Sequence, residues 1–263
     1  MRVIVLGCGG SAGVPMIGGA DGRGDWGLCD PDEPRNRRTR SSIVIESEGG
    51  ERLLIDTGPD LRDQLLTRAV PMIDAILFTH AHADHVCGID EVRSLNRIAD
   101  RPLEAYAFPE TLDELRERFS FAFLPWSPPG FYRPVLTASA VRPGEVVRIA
   151  GLELTVFEQV HGRIRTLGFR IGGFAYSTDV VELGREARRV LEGVDTWMVD
   201  AFQREPHSSH AHLDLALAWG RELGVRRTIL THMGTDLDWG WLGDRLPDGV
   251  EPAFDGMKLD FRS

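Results

Sequence analysis

The chain is poor in cysteine. It has three in 263 residues, Cys8, Cys29 and Cys87, an odd number with no paired spacing. That excludes a disulfide-stapled scaffold and leads us to expect reduced thiols in a cytoplasmic protein. Long apolar runs are missing as well: nothing approaches the ~20 residues of a membrane span. The opening Met1–Gly7 is too short an apolar stretch for an export signal and reads as a first β-strand. Positive charge is in deficit, with 30 basic side chains against 40 acidic ones and a formal net charge of −10. A broad binder of nucleic acid or of a membrane surface needs the opposite balance, so neither is expected as a partner. No repeat of fixed period and no low-complexity linker interrupts the chain. What it does have is 42% apolar and 27% charged residues, enough to bury a substantial core. We expect a single domain over residues 1–263.

Short β-branched runs alternate with helix-like segments. Strands are expected at Val3–Leu6, Ser42–Glu46, Leu53–Asp56, Ala75–Thr79, Leu152–Gln159, Leu167–Ile171, Phe174–Ser177, Thr196–Asp200 and Thr228–Thr231. Helices are expected at Pro59–Ala69 and Pro109–Phe119, each opened by proline, and at Glu182–Leu191 and Leu213–Leu223. Gly49-Gly50 marks a hairpin in the early half, whereas the late half reads as strand–helix–strand units. Hairpins together with crossovers predict an α+β protein with mixed sheets covered by helices. The least regular stretches are Gly7–Arg40 and Leu124–Pro134, and loops of that length in a compact domain are usually functional or mobile.

All eight histidines fall in four places, and the first 79 residues contain none. His80, His82 and His85 form one group, His161 stands alone, His207, His210 and His212 form a trio, and His232 closes the series. The first group, His161 and His232 each follow a strand-like run, and strand ends converge on the sheet edge where α/β proteins place their chemistry. The densest stretch is His80-Ala81-His82-Ala83-Asp84-His85, in which small alanines let the backbone coil so that four ligand-type side chains face one centre. One divalent cation takes three or four protein ligands. These four together with His161 and His232 exceed one ion's needs, and two ions need a bridging anion. Asp179, at the end of the Phe174–Ser177 strand, is the candidate; Asp200, closing the next strand, is either a rival bridge or a supporting carboxylate.

The run from His80 to His85 resembles the H-x-H-x-D-H signature of the metallo-β-lactamase superfamily. His161, Asp179 and His232 fall in the order of that family's remaining ligands, and Asp56-Thr57-Gly58 is similar to its Asp-x-Gly turn. The resemblance covers nearly the whole chain and implies a four-layer αββα sandwich, two mixed β-sheets between helices. It also implies two divalent metal ions per chain, zinc or manganese. One would be held by His80, His82 and His161, the other by Asp84, His85 and His232, with Asp179 bridging and Asp56 orienting a ligand.

Within the superfamily, an aspartate bridge and the missing export signal weigh against a secreted β-lactamase. Gly7-Cys8-Gly9-Gly10-Ser11-Ala12-Gly13-Val14-Pro15, Ser209-His210-Ala211-His212-Leu213 and Phe254-Asp255-Gly256-Met257 resemble the phosphodiesterase branch. Its phosphoribosyl cyclic phosphodiesterases, of the carbon–phosphorus lyase pathway, are the nearer likeness, since no inserted arm for gripping transfer RNA is visible. The expected activity is therefore hydrolysis of a small cyclic or nucleotide-like phosphodiester. A metal pair would activate the attacking water, and His210, rather than His207 or His212, would give a proton to the leaving group. Asp84 counts with His210 as a candidate catalytic residue. The alternatives are a glyoxalase-type thioesterase and a ribonuclease Z-like RNA hydrolase. Members of the cyclic phosphodiesterase group often carry a cysteine cluster near the N-terminus for a structural zinc. Here that stretch holds only Cys29, and Thr235 stands at the distal position, so no such site is expected. In the run Arg35-Asn36-Arg37-Arg38-Thr39-Arg40, arginine forks suit phosphate oxygens, but pairing with the protein's own carboxylates explains them equally well. The sequence leaves a homodimer open.

Overall fold

The computed structural model describes residues 1–127 and 130–261. Pro128 and Pro129, within the irregular stretch 124–134, and Arg262 and Ser263, at the end of the expected domain, lie outside the described residues.

The first sheet contains β1 (Arg2–Gly7), β2 (Ser42–Glu46), β3 (Arg52–Ile55), β4 (Ala75–Leu77), β5 (Leu103–Ala107) and β6 (Leu136–Ala140). The second contains β7 (Val146–Ile149), β8 (Leu152–His161), β9 (Ile164–Ile171), β10 (Phe174–Ser177), β11 (Thr196–Asp200), β12 (Arg227–Thr231) and β13 (Val250–Pro252), and β14 (Lys258–Asp260) returns to pair with β1. The strand orders are β14-β1-β2-β3-β4-β5-β6 and β13-β12-β11-β10-β9-β8-β7. Both sheets are mixed. From β3 to β6 the neighbours are parallel, so the early half is not built of hairpins alone. From β10 to β13 they are again parallel.

Both faces of the first sheet are buried. Val3, Val5, Ile43, Ile45, Leu53 and Ile55 join the core between the sheets. Ile4, Leu6, Val44, Leu54 and Ile76 join a second core on the opposite face. That second core is completed by α1 (Leu61–Thr67), α3 (Val92–Ala99) and α4 (Pro109–Arg118). A strand with no solvated face needs apolar side chains at every position, which is why these segments read as continuous runs. On the far side, α5 (Arg185–Leu191) and α6 (Leu213–Glu222) cover the second sheet, giving the helix–sheet–sheet–helix order expected. Two short helices remain, α2 (Ala83–Val86) and α7 (Trp239–Gly243).

The long segment between β1 and β2 is irregular but firmly anchored. Arg38, buried, donates from Nη2 to the Leu237 carbonyl at 2.6 Å, Asn36 donates to Asp238 Oδ2 at 2.7 Å, and the Leu28 amide donates to the Thr235 carbonyl at 2.8 Å. Cys8 and Cys29 are buried thiols and Cys87 is exposed; none is in a disulfide.

Candidate metal centre

The C-terminal ends of β4, β8, β10 and β12 open on one edge of the sandwich. His161 closes β8 and His232 follows β12 directly, while Asp179 comes two residues after β10 and His80 three after β4. Asp56, Asp179 and His232 leave their strands in the left-handed region, at φ of 63°, 50° and 57°. This conformation costs a non-glycine residue of order 1–3 kcal/mol and persists only where the surroundings enforce it. Here the Asp56 amide donates to Leu77, Thr166 Oγ1 donates to the Asp179 carbonyl at 2.9 Å, and the Met233 amide donates to Cys8. The His80–His85 run enters α2, whose first turn holds Asp84 and His85 and whose N-cap is His82. Gly58 packs beneath it: a Cβ there would stand 2.5 Å from the Asp84 carbonyl oxygen, so only glycine fits.

These ends bring the seven expected ligands into two groups that share Asp179. The ligand atoms of His80, His82, His161 and Asp179 lie within 4.8 Å of one another, as do those of Asp84, His85, Asp179 and His232. The two oxygens of Asp179 face opposite groups. Oδ2 is 3.7 Å from His80 Nε2 and 3.6 Å from His161 Nε2, whereas Oδ1 is 3.1 Å from His85 Nε2 and 3.3 Å from His232 Nδ1.

Supporting hydrogen bonds fix which nitrogen each imidazole offers. Asp56 Oδ2 accepts from His85 Nδ1 at 2.7 Å and from Thr79 Oγ1, while its Oδ1 accepts the Thr79 amide at 2.8 Å. The Thr79 hydroxyl, having donated to Asp56, can accept from His80 Nδ1 at 3.0 Å. The Ser209 carbonyl accepts from His161 Nδ1 at 2.7 Å. All three rings therefore present Nε2.

The residues fit a pair of divalent cations. His80 Nε2, His85 Nε2, His232 Nε2 and Asp84 Oδ2 are buried without any hydrogen-bond partner, although buried polar atoms are ordinarily paired. Asp56 and Asp179 are likewise buried and demand positive charge nearby. Burial, reinforced by the neighbouring imidazoles, pushes His80 well below its usual range, and burial also lowers His232, so both keep a free lone pair. Burial opposes charge on His85 too, but Asp179, Asp56 and Asp84 overcome it and hold that imidazole well above the usual range. Burial would raise Asp179, yet His232, His85 and His80 keep it well below the usual carboxylate range. Nitrogen donors mixed with carboxylate oxygens suit zinc, manganese or iron.

His210 adjoins both groups without belonging to either. Its ring centroid is 4.5 Å from that of His161 and stacks at 5.0 Å on His232, with Phe202 at 4.7 Å on it as well. Asp200 Oδ2 accepts from His210 Nδ1 at 3.0 Å and also from the Val180 amide. Of its two expected roles, Asp200 thus takes the supporting one. Burial works against a charged His210, but the Asp200 hydrogen bond and the charges of Asp200, Asp179 and Asp84 raise it. His207 is half-buried, 5.2 Å from His210 between ring centroids, and His212 caps α6. Sequence reasoning missed Thr79, the Ser209 carbonyl and Phe202. Thr79 adjoins a ligand and could have been noticed, but a backbone carbonyl leaves no trace in residue type.

A family model described as a β-lactamase superfamily domain matches residues 51–233, an interval that contains all seven ligand-type residues. The chain belongs to the metallo-β-lactamase superfamily. As a superfamily member with this donor set, it has the centre of a metal-dependent hydrolase. The solved structure of a new diphosphatase from the PhnP family is 32% identical, with a TM-score of 0.88 over 99% of this chain and 98% of that one. Zinc-bound PqqB from Methylobacterium extorquens shares the fold at 20% identity and a TM-score of 0.76, covering 99% of this chain and all of that one (100%). An octanoyltransferase of Porphyromonas gingivalis is 31% identical over 98% of this chain and 51% of its own length. The chain thus spans about half the length of the curated relatives it matches. Among the described residues of this superfamily member, no helix is long and apolar enough to cross a membrane.

Proposed function

We propose that the chain is a phosphodiesterase for a small cyclic or nucleotide-like phosphodiester, with His210 as proton donor to the leaving group. The observation that carries this reading is the buried His210–Asp200 pair beside the two ligand groups. An alkoxide leaving group needs a proton as it departs. A thiolate, with a conjugate-acid pKa of ~8.5, leaves without one, so a glyoxalase-type thioesterase has no use for this pair. The solved diphosphatase relative supports phosphorus as the reacting centre. The octanoyltransferase name adds nothing, because half of that protein lies outside the match.

His80, His82 and His161 would hold one cation, Asp84, His85 and His232 the other, and Asp179 both. When bound, such a pair neutralises the non-bridging phosphate oxygens and lowers the pKa of an attacking water. Asp56 keeps His85 in the tautomer that presents Nε2, and the Ser209 carbonyl does the same for His161. Asp84, with its partnerless Oδ2 given to the cation, would orient the attacking water through its other carboxylate oxygen. Asp200 fixes the proton of His210 on Nδ1 and stabilises the imidazolium, so Nε2 is the nitrogen that donates.

The test compares bis-p-nitrophenyl phosphate with a glutathione thioester on metal-loaded protein. Phosphodiester turnover is expected, and it should fall about 10²–10⁴-fold in His210→Ala while metal content stays at two ions per chain. Thioester-only turnover, or near-normal phosphodiester turnover in His210→Ala, would overturn the reading.

A further inference from the structure

We propose that Ser41 is the residue that positions His232, and that Asp255 holds Ser41 in place. The cation group of Asp84, His85 and His232 then depends on residues outside the 51–233 interval of the family match. This rests on the ligand assignment proposed above and not on the identity of the substrate.

Three oxygens approach His232 Nδ1: Ser41 Oγ at 3.2 Å, Asp179 Oδ1 at 3.3 Å and Thr178 Oγ1 at 3.4 Å. Asp179 Oδ1 already accepts from the Thr178 hydroxyl at 2.6 Å and faces His85 as well. Ser41 Oγ is the nearest of the three, and it has no such competing duty. Ser41 is fully buried, and its hydroxyl donates to the Gly9 carbonyl at 3.0 Å. A serine hydroxyl has one proton and two lone pairs. With its proton on Gly9, Ser41 accepts from His232, which puts the imidazole proton on Nδ1 and leaves the partnerless Nε2 for a cation. Thr79 treats His80 in the same way, having given its own proton to Asp56.

Ser41 is held by two segments, the loop after β1 and the stretch before β2. The Gly9 amide donates to the Thr39 carbonyl at 2.8 Å. A Cβ on Gly9 would stand 2.9 Å from the Arg38 carbonyl oxygen, so this approach requires glycine. The same loop is laced to the residue after His232: the Met233 amide donates to the Cys8 carbonyl at 2.9 Å, and the Gly10 amide to the Met233 carbonyl at 3.1 Å. Asp255 fastens the two segments together, one with each oxygen. Its Oδ1 accepts from the Cys8 amide at 3.1 Å and the Cys8 thiol at 3.4 Å; its Oδ2 accepts from the Thr39 amide at 2.8 Å and the Thr39 hydroxyl at 2.7 Å. The Phe254-Asp255-Gly256-Met257 stretch, which the hydrolytic chemistry does not touch, thereby acts on the metal centre through Gly9 and Ser41.

The test is zinc titration of wild type, Ser41→Ala, Ser41→Thr and Asp255→Asn, together with nitrogen spectra of isotope-labelled histidine in metal-free wild type. Metal-free wild type should show His232 as the Nδ1–H tautomer. Ser41→Ala should weaken one of the two ions by about 10–100-fold and leave the other within about twofold. Ser41→Thr keeps the hydroxyl and should recover part of the loss, and Asp255→Asn should weaken the same ion by about threefold or more. An Nε2–H tautomer in wild type, unchanged affinity in Ser41→Ala, or equal losses for both ions would overturn the role of Ser41. Wild-type affinity in Asp255→Asn would overturn that of Asp255. The tautomer is read without any variant, so a refutation stays within reach should Ser41→Ala not fold. Fewer than two ions in wild type would remove the ligand assignment along with this proposal, whereas a failure of phosphodiester turnover alone would touch neither.

Discussion

Replacing Asp56 by alanine would remove the acceptor of three hydrogen bonds at once, from the Thr79 amide, the Thr79 hydroxyl and His85 Nδ1. All of these groups are buried, and a buried donor left unpaired costs ~1–3 kcal/mol. His85 would also lose the partner that fixes its tautomer. We expect Asp56→Ala to weaken metal binding at the Asp84–His85–His232 group by about 10–100-fold, read by titration with zinc, and to lower stability in urea by ~3 kcal/mol or more. Unchanged affinity would mean that His85 needs no orienting partner. At this scale the sequence was most informative where ligand-type residues were crowded. Four of them between His80 and His85, spaced only by alanine, have no cheap explanation other than a cation. Asp200 was legible only as a strand-end acid, because nothing in residue type says whether a carboxylate faces a metal or an imidazole ten positions away.

Strands were legible in proportion to how completely they are buried. β2, β10 and β11 were expected with the bounds they have, and each is an apolar run at the centre of a sheet. β5, β6, β7, β13 and β14 were not foreseen. β6, Leu-Thr-Ala-Ser-Ala, has little β-propensity and ends its sheet, and β14 is three residues whose pairing with β1 spans nearly the whole chain. Helix ends moved inward, as at Leu61–Thr67 within the expected Pro59–Ala69, because capping turns share the composition of the helix they bound. The two-sided burial of β3 makes a direct prediction. Leu54 and Ile55 point to opposite faces, yet both are fully buried, in different cores. Leu54→Ala and Ile55→Ala should therefore each cost about 2–5 kcal/mol by chemical denaturation. A strand with one solvated face would tolerate one of the two, so a harmless Leu54→Ala would contradict helix cover on that face.

Across the whole molecule, the two sheets meet the chemistry in different ways. The first contributes Asp56 and the His80–His85 run, and the second contributes His161, Asp179, Asp200 and His232. Neither half of the sandwich holds a complete donor group, since each of the two groups draws residues from both sheets. A cation in either group therefore bridges the sheets as well as neutralising buried carboxylates. Anything that binds the folded chain and not the unfolded one stabilises it by mass action, by ~2.7 kcal/mol at a free concentration one hundred times the dissociation constant. Chelation should consequently lower the thermal midpoint while leaving helix and strand content in place, because β1–β3 and their helices are held by buried apolar side chains on both faces of the sheet. Restoring zinc or manganese should return the midpoint, with saturation at two ions per chain. Saturation at one ion would show that one of the two groups is not a metal site, and a midpoint indifferent to chelator would show that the sheets are joined by their apolar faces alone.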